Sequence, residues 1–112
     1  MKKIEAFIRP ERLGDVGRAL EEKGFVSMTV TDVEGRGRQK GIRLEWRAGE
    51  YQVDLLPKIK LEIIVEDENW EEVVGIIREA AKTGEVGDGK IVVYQVEEII
   101  RVRTGERGAG AL

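Results

Sequence analysis

The residues best suited to chemistry are basic and glycine-flanked, and they recur in separate parts of the chain. Gly84 to Lys90 reads GEVGDGK, which formally satisfies G-x-x-x-x-G-K. That is the opening of a nucleotide-binding P-loop, whose backbone amides cradle phosphate. Two features reject that identification. The next residue is Ile91, so the hydroxyl that would ligate Mg²⁺ is missing. The stretch also joins a helix pattern to a strand pattern, so no helix N-terminus points at a ligand. Two readings of these residues stay open. Gly87, Asp88 and Gly89 can expose successive N–H groups as an anion nest with Lys90 adding charge, or they form an ordinary turn whose glycines supply positive φ.

Further basic groups cluster at Gly35–Gly41, where Arg36, Arg38 and Lys40 alternate with Gly35, Gly37, Gln39 and Gly41. Lys58 follows Pro57, and Arg101 and Arg103 stand two apart near the end. Two apart on a strand means one shared face. Each set, taken alone, also fits a solvated loop or a charged edge strand. Together they place cations at strand ends and in loops of a chain whose net charge is -3. A polyphosphate ligand explains that placement economically.

What is missing narrows the chemistry. The chain has no cysteine and no histidine, which excludes thiol nucleophiles, disulfides, thiolate or imidazole metal sites and the commonest general base. A metal would have to be a hard cation on oxygen ligands. A dedicated nucleic-acid binder carries a basic excess that this chain lacks. No run approaches a membrane span. The N-terminus, MKKIEAFIRP, has no long apolar core and runs straight into a strand pattern, so a cytoplasmic protein is expected.

The elements that must position these groups follow in order. Lys2 to Ile8 alternates with Ile4, Ala6 and Ile8 on one face, as a half-buried strand does. Pro10 opens a helix carrying Leu13, Val16 and Leu20 to about Lys23, and Gly24 stops it. Phe25 to Val33 is rich in β-branched residues and reads as the second strand. Gly35 to Pro57 reads as a long connection with no clear element of its own, yet it carries Ile42, Leu44, Trp46, Tyr51, Val53, Leu55 and Leu56. Long loops of that kind are usually working loops. Lys58 to Val65 alternates cleanly. Asn69 and Glu72 form a capping-box pattern ahead of an apolar stripe of Trp70, Val73, Val74, Ile77, Ala80 and Ala81. Ile91 to Val96 is the next strand, and Ile99 to Arg103 reads as a short fifth one. The tail TGERGAGAL has no periodicity and is expected to be mobile.

The order β-α-β, loop, β-α-β in a chain of 112 residues predicts one α+β domain of the ferredoxin-like split βαβ kind. Its antiparallel sheet has two helices on one face. Phe7, Ile64, Val92 and Tyr94 point to the other face, which predicts an oligomer that buries it.

The stretches GRGRQKG, AGEYQVDLLPKIKLE, AAKTGEVGDGKIVV and IIRVRTGERG, spread in order over nearly the whole chain, closely resemble the signature segments of the PII nitrogen-regulatory signal proteins. The resemblance implies a non-enzymatic sensor, a homotrimer with nucleotide sites in the clefts between subunits. It implies a T-loop at 36–56, a B-loop at 82–90 and a C-terminal loop at 101–112. ATP or ADP would be held by Thr29, Gly35, Gly37, Arg38, Gln39, Ile64, Gly87, Asp88, Gly89, Lys90, Arg101 and Arg103. Gln39 would ligate Mg²⁺. The effector 2-oxoglutarate would sit against Arg9, Gln39, Lys40, Gly41 and Lys58. Arg47 would contact a target, and Tyr51 matches a tyrosine that some members carry modified. The T-loop would dock on an ammonium transporter, bringing the protein reversibly to the membrane. Trp46 and Arg36 depart from the tyrosine and phenylalanine frequent at those positions. Two other classes compete on composition alone. A ferredoxin-like phosphate-ester hydrolase of the acylphosphatase kind would not need so long a loop. An RNA-binding sheet would carry a closer set of aromatics than Phe7 and Tyr94.

Overall fold

A computed structural model of the chain describes residues 1–37, 42–46, 49–53 and 55–112, with only the backbone described at 42–46 and 49–53. Strand β1 (Lys2–Ile8) leads through a short 3-10 turn (Pro10–Arg12) into α1 (Leu13–Glu22). Strand β2 (Thr29–Gly35), a hairpin of β3 (Ile42–Trp46) and β4 (Gly49–Val53), and the long strand β5 (Leu56–Val65) follow. Helix α2 (Trp70–Ala81), strand β6 (Lys90–Gln95) and a 3-10 turn (Gly108–Ala111) complete the chain.

The main sheet has four strands in the order β2-β5-β1-β6, antiparallel throughout. This is the ferredoxin-like arrangement. The alternation in β1 and β5 dictates the register. Ile4 faces Ile63, Ala6 faces Leu61 and Ile8 faces Ile59, and all six are buried. A slip of one residue would turn the whole set outward, so burial fixes the pairing. The helices cover that face with Val16, Leu20, Val73, Ile77 and Ala81, each buried in the same cluster. Trp70, Val74 and Ala80 pack at its margin.

The opposite face is of different make. Lys3 lies 3.1 Å from Glu5 and 3.7 Å from Glu62, and Lys60 lies 3.4 Å from Glu62. Lys3 also stands 5.6 Å over the Tyr94 ring. Register puts Phe7, Val92 and Tyr94 on this face beside the charged ladder. Ile64 is 38% exposed and Tyr94 47% exposed. None of the described helices covers them.

Several expectations are corrected. The second strand starts at Thr29 rather than Phe25. Phe25 instead turns back against the core, its N–H bonded to Leu20 O at 3.0 Å behind Gly24, whose φ is 87°. The connection from Gly35 to Pro57 has elements of its own. Ile42 pairs with Val53 and Leu44 with Tyr51, so the alternation there builds a hairpin. Its stem lies in the main sheet, where Gly35 pairs with Leu56 and Glu34 with Pro57. Asn69 is the first cap residue of α2, but its backbone is already helical and its side chain makes no cap bond. The capping box is therefore not formed.

No fifth strand runs from Ile99 to Arg103. A single bridge joins Ile100 to Arg107, and a turn at 102–104 separates them. The Gly105 N–H bonds Arg101 O at 2.8 Å and the Arg101 N–H bonds Glu106 O at 2.9 Å. Gly105 takes φ 75° to allow it. The tail is thus folded back, with the Gly108 N–H reaching Ile99 O at 3.0 Å and Glu98 Oε1 at 3.0 Å.

Candidate functional site

The B-loop begins where α2 ends. Lys82 leaves the helix in an extended conformation, and the chain must then reverse to enter β6 at Lys90. Three glycines make the reversal, with φ of 91° at Gly84, 103° at Gly87 and 96° at Gly89. At Gly89 the requirement is absolute, since a Cβ there would stand 1.7 Å from the Phe7 carbonyl oxygen. The loop lies directly on the end of β1.

Asp88 closes the loop on itself. Its Oδ2 accepts the backbone N–H of Thr83 at 2.8 Å and of Gly84 at 2.9 Å. Its Oδ1 accepts the Thr83 hydroxyl at 2.5 Å and Arg9 Nε at 3.0 Å. The Thr83 hydroxyl oxygen in turn accepts the Glu85 N–H at 3.1 Å. Bonding to Thr83 above all, then to the Gly84 amide and to Arg9, holds the carboxyl well below the usual carboxylate range. Donors to an ionised carboxylate favour the charged form.

Two cations clamp this loop from the sheet. Arg9, just past β1, also donates from Nη2 to Val86 O at 2.9 Å. Lys58, near the start of β5, donates from Nζ to Gly87 O. Burial, and then the Arg9 charge, lower the Lys58 pKa, while Glu11 and Asp88 pull it back up. Between these groups and the exit of β2 opens a cleft of about 760 Å³, lined by Phe7, residues 33–37, Lys58 and residues 85–90. Ligand clefts span about 300–1,000 Å³. Its lining carries the Arg36, Lys58 and Lys90 cations, the carboxylates of Glu34, Glu85 and Asp88, and the backbone of Gly87 and Gly89. With the Asp88 carboxylate tied into the loop, the cations and loop amides are the groups suited to an anion.

The structure therefore brings together Gly35, Gly37, Lys58, Gly87, Asp88, Gly89 and Lys90, with Arg9 behind them. It keeps four other expected residues apart. Thr29 opens β2, paired with Glu62, and Ile64 lies at the far end of β5 from Lys58, roughly 20 Å along the strand. Arg101 sits within the C-terminal segment, its Nη2 on Leu112 O at 3.0 Å and its Nη1 3.7 Å from Glu106. Arg103 is exposed in the adjoining turn. None of these four lines the cleft, and Arg101 and Arg103 do not share a strand face. Arg38, Gln39, Lys40, Gly41 and Arg47 lie outside the described residues, and Tyr51 is described only as backbone in β4.

Sequence reasoning missed Thr83 and gave Asp88 a ligand's role. The signal available was local, since a threonine and an aspartate five residues apart flanking glycines can close a side-chain-to-backbone ring.

Comparison with known proteins agrees with this architecture. The profile of the family described as Nitrogen regulatory protein P-II matches residues 1–106. The chain is 54% identical over 112 residues to "Nitrogen regulatory protein P-II" of Rhizobium meliloti (strain 1021), covering all of both chains. It is 54% identical over 112 residues to "Nitrogen regulatory protein P-II 1" of Methanothermobacter thermautotrophicus, covering all of this chain and 97% of that one. The Pasteurella multocida (strain Pm70) protein of the same family name is 53% identical over 112 residues, again across both full lengths. The fold and the cleft define a small ferredoxin-like α+β domain with a glycine-rich loop at the cleft's edge. The chain belongs to the nitrogen regulatory P-II family and is a nitrogen-regulatory signal transducer. Membership in a regulatory family sets aside the phosphate-ester hydrolase reading. No described helix is long and apolar enough to cross a membrane.

Proposed function

We propose that this protein senses the ATP/ADP state together with 2-oxoglutarate and passes the result to an ammonium transporter, or to a nitrogen-assimilation enzyme, through residues 36–56. The observation that carries the reading is the convergence on one cleft of the glycine-rich B-loop, Lys90 and Lys58. The nucleotide phosphates would lie on the amides of Gly87 to Gly89 beside Gly35 and Gly37. Arg38 would add charge, and Gln39 would ligate the Mg²⁺ held by the phosphates, which removes the need for a P-loop hydroxyl. Lys58, and Arg9 through its remaining donors, would meet the carboxylates of 2-oxoglutarate, with Gln39, Lys40 and Gly41 beside them.

Thr29, Ile64, Arg101 and Arg103 do not line this cleft within the chain. They would serve the cleft of a neighbouring copy in a homotrimer that covers the open sheet face. That face carries Phe7, Ile64, Val92 and Tyr94, so its burial would remove apolar surface from water. Arg47 and Tyr51 lie on the docking segment, and contact with the transporter would bring the protein reversibly to the membrane. Each ligand must favour one state of that segment over another, because equal affinity for both shifts nothing.

The test is calorimetric titration of 2-oxoglutarate into the protein holding MgATP, and then MgADP. Binding with MgATP alone is the expected result. Nucleotide binding with no 2-oxoglutarate heat in either case would reduce the protein to an energy sensor.

A further inference from the structure

The sequence-based expectation places Asp88 on the nucleotide through its backbone N–H and leaves its carboxylate without a role. That carboxylate is fully engaged within the loop. An ionised carboxylate offers about four acceptor sites, and here the acceptors meet Thr83 N, Gly84 N, Thr83 Oγ1 and Arg9 Nε at 2.8, 2.9, 2.5 and 3.0 Å. A bound phosphate would also be repelled by a negative charge. The Asp88 side chain therefore has no donor to offer an anion and no free oxygen to offer a metal, and only its backbone N–H is left for a ligand.

Thr83 is the centre of this arrangement. Its hydroxyl hydrogen goes to Asp88 Oδ1 at 2.5 Å, and its lone pair takes the Glu85 amide at 3.1 Å. Its own amide goes to the same carboxylate. Those bonds consume the N–H groups of Thr83, Gly84 and Glu85 inside the ring. The amides from Val86 to Gly89, over the positive-φ glycines at 87 and 89, have no such intraloop partner among the described bonds, and these residues line the cleft. The ring thus takes up the first amides of the loop and leaves the later ones for a ligand. Arg9 ties the ring to β1 through Asp88 and through Val86 O at 2.9 Å.

We infer that Thr83 is a positioning residue for nucleotide binding, acting through Asp88 to hold the amides of Val86 to Gly89 toward the cleft. This rests on the nucleotide reading given above, and it gives the Asp88 carboxylate to the loop while its backbone amide serves the ligand. The hydroxyl, not the methyl, carries the effect. Preorganised donors bind more tightly because the ordering has been completed before the ligand arrives.

The test compares Thr83→Val and Thr83→Ser in the full-length protein by calorimetric titration with MgATP. Thr83→Val is expected to bind about tenfold more weakly, the scale of one hydrogen bond to a charged group, while Thr83→Ser binds as the parent does. A pH series adds a readout that simple loss of packing would not move. The groups facing Asp88 are Thr83 and Gly84 of the loop and Arg9 from β1, with Lys58 of β5 and Glu11 of the 3-10 turn nearby. The Asp88 carboxyl is held low mainly by Thr83, so its contribution persists above the ordinary aspartate value and is lost only as pH falls through the depressed one. Removing the hydroxyl moves the acid loss of binding to higher pH. Unchanged affinity and unchanged acid limb in Thr83→Val would overturn the inference, as would equal loss in Thr83→Ser.

Failure of the nucleotide reading is separable. If the parent protein binds no MgATP, hydrogen exchange at the amides of 84–89 decides the matter. Faster exchange in Thr83→Val but not in Thr83→Ser supports the ring as the loop's organiser, and identical exchange in all three refutes it.

Discussion

The B-loop at 82–90 and the C-terminal segment at 98–112 use the same materials and are held in opposite ways. Both contain glycines at positive φ, and both centre on an arginine bonded to a distant backbone carbonyl. The B-loop is fixed by side chains from far along the chain, Arg9 and Lys58, and by the Phe7 carbonyl against Gly89. The C-terminal segment is fixed mainly by itself. Arg101 bonds Leu112 and Glu106, Arg107 lies 3.7 Å from Glu98, and Val102 is 101% exposed. A loop welded to the sheet has its donors in place before a ligand arrives. A segment closed on itself, with Arg103 exposed, would in the proposed reading meet the cleft of a neighbouring copy. The difference fits a site divided between two copies.

The comparison can be broken first with alanine at the two kinds of glycine. Gly89→Ala meets both a carbonyl at 1.7 Å and a φ of 96°, and should cost about 3 kcal/mol or more. Gly105→Ala has open space at its Cβ and suffers only its φ of 75°, so about 1 kcal/mol is expected. Denaturant unfolding measures both, and equal losses would contradict the contrast.

Next in size is the division of labour at Lys58. Lys58→Ala should weaken 2-oxoglutarate binding by about 2 kcal/mol, the cost of removing one partner of a charge pair, and MgATP binding by clearly less, through the lost bond to Gly87 O. Gln39→Ala should give the same split. Arg101→Ala sharpens the other half of the comparison. It should reduce MgATP affinity about tenfold, one charge-assisted contact, and cost about 1 kcal/mol of stability through its lost bond to Leu112 O.

The smallest effect is one of pH. Burial beside Arg9 lowers the Lys58 pKa below the ordinary 10.5, so 2-oxoglutarate binding, which needs the ammonium, should fall at a lower alkaline pH than an unperturbed lysine would allow. Fold stability should move the other way. Between the lowered pKa and 10.5 the unfolded chain binds more protons, so stability rises with pH there. Titrations and melts across that range check both signs.

Much of the fold was legible because it rests on periodicity. Ile59, Leu61, Ile63 and Val65 alternate without interruption, and the pairing with Ile4, Ala6 and Ile8 follows from it. The hairpin at 42–53 was hidden by its glycines and charges, although Ile42, Leu44 and Trp46 alternate just as Tyr51 and Val53 do. Arg101 and Arg103 looked like a strand because β-branched residues precede them, but the turn at Gly105 draws Glu106 and Arg107 back against the same stretch. The site was legible as a set of residue types and not as a set of contacts. Lys58, Lys90 and the glycines stood out by charge and flexibility. Thr83 did not, because its role depends on a ring closed by Asp88, and Arg9 meets that ring only once the sheet brings β1 beside the loop.

The central claim is that one copy supplies the phosphate loop and another supplies Arg101. The most direct measurement mixes two variants, Lys90→Ala and Arg101→Ala, each weakened in MgATP binding, under conditions that let subunits exchange. In mixed oligomers a fraction of clefts would combine the intact loop of one variant with the intact arginine of the other. The account predicts that tight MgATP binding reappears in that fraction. Mixed oligomers that bind no better than either variant alone would contradict it.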